Sequence, residues 1–205
     1  MTMPTVANQA RRLNRRHPAA RRLPALALMT DARRLPDPGP AAARLPAGSL
    51  VIFRHYEAPD RRAKLAALAR ICRRRRLRLL VAGDIGLARA ARAVGVHLPE
   101  ALVPRGRIRR PRPGWLVTAA AHSAVALQRA RAAGVDAVLL APVFPTRSHP
   151  GAPALGPLRF ARLARASRLP VYALGGIDAG NARRLAGCGA VGVAAIGALA
   201  TLQDR

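Results

Sequence analysis

Thr30-Asp31, Arg54-His55, Asp84, His97 and His122 each stand at or next to the end of a short apolar run. The later runs end in the stretch Pro142–Gly156, in Gly175-Gly176 and in Gly197. Imidazole changes charge near neutrality and suits proton transfer. A glycine pair that opens a helix lets backbone N–H groups approach an anion, and the helix start adds positive potential. In the long Pro- and Gly-rich stretch, Thr146 and Ser148 supply hydroxyl donors, while Arg147 and His149 supply positive charge for an oxyanion. The residues alone leave blander readings open: glycines also make tight turns, prolines also stiffen a lid, and a histidine can be a packed bystander. His97, between Val96 and Leu98, reads as structural.

The elements that must position these groups alternate along the chain. Eight short apolar runs read as strands: 25–30, 50–54, 77–82, 95–98, 115–119, 137–141, 171–174 and 191–196. Helical patterns lie between them at 61–75, 85–93, 123–133, 158–166 and 179–186. In the first, Leu65, Leu68, Ala69 and Cys72 share one face opposite arginines. The segments 36–47 and 99–113 are Pro-rich, so any helix there is short. Strands apolar on both faces, each followed by a crossover, imply a parallel sheet covered by helices. An open doubly wound sheet would place a Gly-rich turn after the first strand, but that position holds Thr30-Asp31-Ala32-Arg33. The expected fold is an α/β (β/α)8 TIM barrel, a single domain over 25–205. Its catalytic groups belong on the loops at the carboxyl ends of the strands. Residues 1–24 are basic and acid-free. They are expected to form an amphipathic extension near the barrel bottom, or a frayed tail, more readily than a targeting presequence.

Composition bounds the function class. The 205 residues carry 36 Lys+Arg against 9 Asp+Glu, a net charge of +27, yet 51% are hydrophobic, so most of the chain can fold. No run of about 20 apolar residues is free of Arg, Gly or Pro, which argues against a membrane span. Two cysteines, Cys72 and Cys188, provide neither a disulfide framework nor a zinc ribbon, which fits a reducing cytoplasm. All basic residues but Lys64 are arginine, spread over nearly every segment, and aromatics are 3%, so no stacking platform for single-stranded bases exists. That pattern disfavours nucleic acid as a partner. The excess charge would still steer small phosphorylated substrates toward the protein.

The stretch Pro142-Val-Phe-Pro-Thr146-Arg-Ser-His149, followed by Gly175-Gly176-Ile177 and Gly192-Val-Ala-Ala-Ile196, resembles the thiamine phosphate synthase/TenI superfamily. Gly95-Val96-His97-Leu98 and Ala121-His122-Ser123 fit the same pattern in the same order. The resemblance implies a barrel that handles a thiazole phosphate. In the synthase branch it also implies joining that phosphate to a pyrimidine pyrophosphate with Mg²⁺. It assigns the thiazole phosphate to Thr146, Ser148, the Gly175 and Gly176 amides and the Ile196-Gly197 turn. Arg54 matches a basic residue of the second strand, His149 stands at a pyrophosphate-binding position, and Asp84 matches a metal ligand.

The departures decide the expected branch. Ile52 and Tyr56 stand where the synthase pattern has Gln and Lys, and Gly83 where it has Asn. Ala120 replaces a serine and His149 a lysine, and in Pro99-Glu100-Ala101-Leu102 the one acidic residue is out of step with the second metal ligand. Expelling pyrophosphate needs Mg²⁺ and cations, so a single carboxylate predicts poor metal affinity; no cofactor is assigned firmly, and Mg²⁺ at Asp84 stays open. The remaining set, a phosphate clamp plus His122, resembles the TenI branch. That branch isomerises the thiazole by moving a proton, with the matching histidine as acid/base. The expected function is therefore thiazole phosphate binding and tautomerisation. An active synthase, or a non-catalytic barrel binding phosphate or RNA, stand as alternatives, and a homo-oligomer stays open.

Overall fold

The computed structural model describes residues 5–146, 151 and 153–200, with the side chain of Ala200 left aside. Eight parallel strands close into a barrel in chain order: β1 (Leu26–Met29), β2 (Leu50–Phe53), β3 (Arg78–Ala82), β4 (Gly95–Leu98), β5 (Leu116–Ala121), β6 (Ala137–Leu140), β7 (Val171–Leu174) and β8 (Gly192–Ala195). Closure is made by β1 against β8, with Ala27 opposite Ala194. Period-two alternation divides the strand residues between two cores. Leu50, Ile52, Leu80, Leu116, Leu139 and Tyr172 fill the barrel interior. Val51, Phe53, Val81, Val117, Val138 and Leu140 pack outward under the helices. Both faces are dry, which is why the strands are apolar without interruption.

The helices are α1 (Val6–Arg15), α2 (Gly39–Ala43), α3 (Arg61–Arg74), α4 (Ile85–Ala90), α5 (Ala124–Ala132), α6 (Gly156–Ala166) and α7 (Gly197–Ala200). As the prolines require, 36–47 holds only the five-residue α2, and 99–113 holds one 3-10 turn, Glu100–Leu102. Two helical expectations are shortened. The pattern over 85–93 ends at Ala90, because Arg92 takes a left-handed φ of 52° and Ala93 N–H turns back to Ala88 O. The pattern over 179–186 yields only a 3-10 turn, Ala182–Leu185. There Asp178 and Asn181 exchange side chain-to-backbone bonds of 3.0 and 2.9 Å, which fold 178–181 into a tight turn instead. Cys72 and Cys188 are buried thiols without a disulfide, and burial pushes Cys72 up to about 12. No helix among the described residues is long and apolar enough to cross a membrane.

Helix α1 is capped by Thr5, whose hydroxyl accepts from Asn8 N–H, and it buries Val6, Ala7, Gln9, Ala10 and Leu13. Asn14 Nδ2 donates to Leu23 O at 3.0 Å and Val191 O at 2.8 Å, the carbonyls just ahead of β1 and β8. Tyr172 reaches down the interior to donate to Pro24 O at 2.7 Å. The helix thus lies across the amino-terminal face of the barrel. Asn14→Ala leaves two carbonyls there without their donor and is expected to cost about 1–3 kcal/mol, read by urea unfolding; an unchanged midpoint would contradict this clamp.

Candidate active site

All the chemistry-bearing strand ends open onto the carboxyl-terminal face. On the β4–β5 side, the 3-10 turn after β4 presents Glu100 and the end of β5 presents His122. Glu100 Oε2 accepts from the His122 backbone N–H at 2.9 Å and lies 2.7 Å from His122 Nδ1. The carboxylate fixes the ring, and Nδ1–H donating to it leaves Nε2 as the basic nitrogen. The histidine side chain is about half exposed. Sequence reasoning singled out His122 and passed over Glu100 as out of step. Its signal was available: neighbouring strands end side by side, so the one acid after β4 falls beside the histidine after β5.

Thr146, Gly175, Gly176, Ile196 and Gly197 gather on the β6–β8 side. The stretch after β6 folds across the end of β7, with Val143 N–H donating to Leu174 O and Phe144 N–H to Gly175 O. A Cβ on Gly176 would lie 2.3 Å from Pro145 O and 2.7 Å from Phe144 O, and its φ is +64°. The glycine is therefore required for this loop to seat, independently of any anion. Asn181 Nδ2 holds Gly176 O at 2.7 Å, and the Arg184 guanidinium covers the Phe144 ring at 5.3 Å. A Cβ on Gly197 would stand 3.5 Å from an Arg34 guanidinium nitrogen, which places a cation beside the β8 end that sequence reasoning did not single out. Ser148 and His149 lie outside the described residues.

The β2–β3 side is cationic. Arg54 N–H donates to Thr30 Oγ1, which also meets buried His55 Nδ1 at 2.9 Å. His97 is fully buried, 2.9 Å from Thr118 Oγ1, and burial, helped by the Arg54 charge, pushes it down to about 3. That agrees with a structural role. Arg61 donates to Ala82 O and stands over the Tyr56 ring at 5.8 Å. Burial raises Tyr56 above its ordinary value against the pull of Arg54 and Arg61.

Asp84 caps α4: its Oδ1 accepts from Leu87 N–H at 2.7 Å, and its Oδ2 faces Arg61 Nη1 at 3.8 Å. This donor set does not suit a divalent cation. One oxygen is spent on the helix, the other faces a guanidinium that repels a dication, and Glu100 is committed to His122. Among the described residues, no group of three or more His, Cys, Asp or Glu could hold a metal.

Comparison with known proteins gives this arrangement its family. A family model described as thiamine monophosphate synthase matches residues 37–199. A thiamine-phosphate synthase of Halorhodospira halophila is 33% identical over 151 residues, covering 72% of each chain. A relative in Aquifex aeolicus is 36% identical over 118 residues, covering 58% of this chain and 63% of that protein's length. A solved thiamine phosphate pyrophosphorylase from Pyrococcus furiosus superposes with a TM-score of 0.72 over 87% of this chain and 88% of that one, at 24% identity, a likeness of fold. With its closed eight-stranded barrel, this chain belongs to the thiamine monophosphate synthase family of thiamine biosynthesis.

Proposed function

We propose that the chain binds a thiazole phosphate at the carboxyl-terminal face and shifts a proton on the thiazole ring through His122. The observation that carries this reading is the 2.7 Å contact between His122 Nδ1 and Glu100 Oε2. With Nδ1–H held by the carboxylate, Nε2 takes a proton from one position of the conjugated ring. Glu100 stabilises the imidazolium, whose N–H protons exchange with water, and Nε2 then delivers a proton to another position of the ring. The protein ends as it began, and the step has no leaving group to neutralise. Thr146, the Gly175 and Gly176 amides and the Ile196-Gly197 turn hold the phosphate in this reading, with Ser148 and His149 contributed by the loop after β6. Arg54 supplies positive potential from the opposite rim.

Glu100→Gln keeps an acceptor near Nδ1 but removes the charge that steadies the imidazolium. The expected result is a fall of about 10- to 100-fold in kcat with little change in KM, read in steady-state tautomerisation assays. A raised KM with unchanged kcat would place Glu100 in binding instead. The second reading, full synthase activity, is favoured by the name of the Halorhodospira relative. Protein mixed with thiazole phosphate, pyrimidine pyrophosphate and Mg²⁺ separates the two: robust formation of thiamine phosphate would overturn the tautomerase reading.

A further inference from the structure

The arginines are spread along the chain but unevenly over the surface. In this barrel the helix carboxyl ends and the segments leading into strands all lie on the amino-terminal face, opposite the candidate active site. Exposed Arg73, Arg74, Arg75 and Arg76 run from α3 into β3 on that face. Exposed Arg15 and Arg16 end α1, which is clamped beneath β1 and β8. Exposed Arg21 and Arg22 lead into β1, and Arg78, at the start of β3, donates to Arg22 O at 2.5 Å, which joins the two groups into one surface. Arginine in a last helical turn also favours the helix dipole, but that accounts for single residues and not for this density. The acidic residues are segregated the other way. Of the eight described carboxylates only Asp136 lies ahead of a strand, and it is paired with Arg110 at 2.7 Å.

We infer that the amino-terminal face of the barrel is a docking surface for the phosphate backbone of a nucleic-acid duplex. Guanidinium groups bind phosphate oxygens bidentately and displace condensed counterions. Without exposed aromatic rings there, the face lacks the stacking platform that single-strand binders use, which favours contact to the backbone of a duplex, independent of sequence. An anionic bilayer fits less well. The exposed large apolar side chains among the described residues, Tyr56, Ile85, Leu102, Val125 and Leu158, all follow strands or open helices on the opposite face. The apolar side of α1 is already buried in the barrel.

The test is fluorescence anisotropy of the full chain with a labelled mixed-sequence DNA duplex of about 20 base pairs across a salt series around 0.15 M. The triple variant Arg15→Gln, Arg74→Gln, Arg75→Gln is expected to weaken binding at least about tenfold and to reduce the log–log salt slope by about 3. A control of equal charge on the other face, Arg33→Gln, Arg62→Gln, Arg159→Gln, is expected to stay within about threefold of wild type. Equal loss in both triples would overturn the proposal, because charge alone and not this face would bind. A duplex left free at about 0.15 M salt while phosphatidylserine vesicles capture the protein would overturn it too.

Discussion

His122→Ala is expected to lower the rate of thiazole tautomerisation by about 10²- to 10⁴-fold, the span a positioned general base contributes. The loss should fall on kcat, since the phosphate contacts assigned to Thr146, Gly175, Gly176 and the Ile196-Gly197 turn are on the other side of the mouth. The side chain is half exposed and its side-chain hydrogen bond among the described residues is to Glu100, so its removal should leave unfolding midpoints nearly unchanged. Stability and activity thus separate cleanly. Exogenous imidazole offers a second readout, because it can enter the vacated space and restore part of the rate. An unaffected rate in His122→Ala would remove this histidine from catalysis.

Acidification should destabilise the fold through His97. Burial holds its imidazole at about 3, against an ordinary value of 6.5. The unfolded chain therefore takes up a proton below about pH 6.5 that the folded barrel excludes. Stability from this residue is complete above that value and is lost progressively as pH falls from 6.5 through about 3. One proton gives at most about 1.4 kcal/mol per pH unit, so between about pH 7 and pH 4.5 the loss is about 2–3 kcal/mol. His97→Gln retains a polar partner for Thr118 Oγ1 and cannot titrate. Urea unfolding at both pH values should show the variant losing about 2–3 kcal/mol less than wild type. Parallel losses in the two proteins would show that His97 is not the buried group responsible.

The barrel was legible because its strands are buried on both faces. Runs such as Leu50–Phe53 and Ala137–Leu140 must then be apolar throughout, and their spacing leaves room for one helix each. The strand ends were legible for the same reason, since Arg54, Asp84 and His122 are the first polar residues after such runs. What was not legible depends on neighbours distant in sequence. Glu100 meets His122 across 22 positions, and Asp84 is occupied by Arg61 from the preceding crossover. Gly176 looked like an anion cradle, whereas its missing Cβ also makes room for Pro145 and Phe144. The arginines looked diffuse because a barrel returns to its amino-terminal face once per repeat, which gathers in space what is scattered in sequence.

Deuterium exchange on the thiazole phosphate, followed by NMR in D2O with EDTA present and no pyrimidine substrate, tests the proton-transfer claim most directly. The geometry around His122, Glu100 and Asp84 predicts exchange at the ring at a rate unchanged by EDTA and abolished by His122→Ala. A thiazole that stays unexchanged, but is converted to thiamine phosphate once pyrimidine pyrophosphate and Mg²⁺ are added, would contradict it.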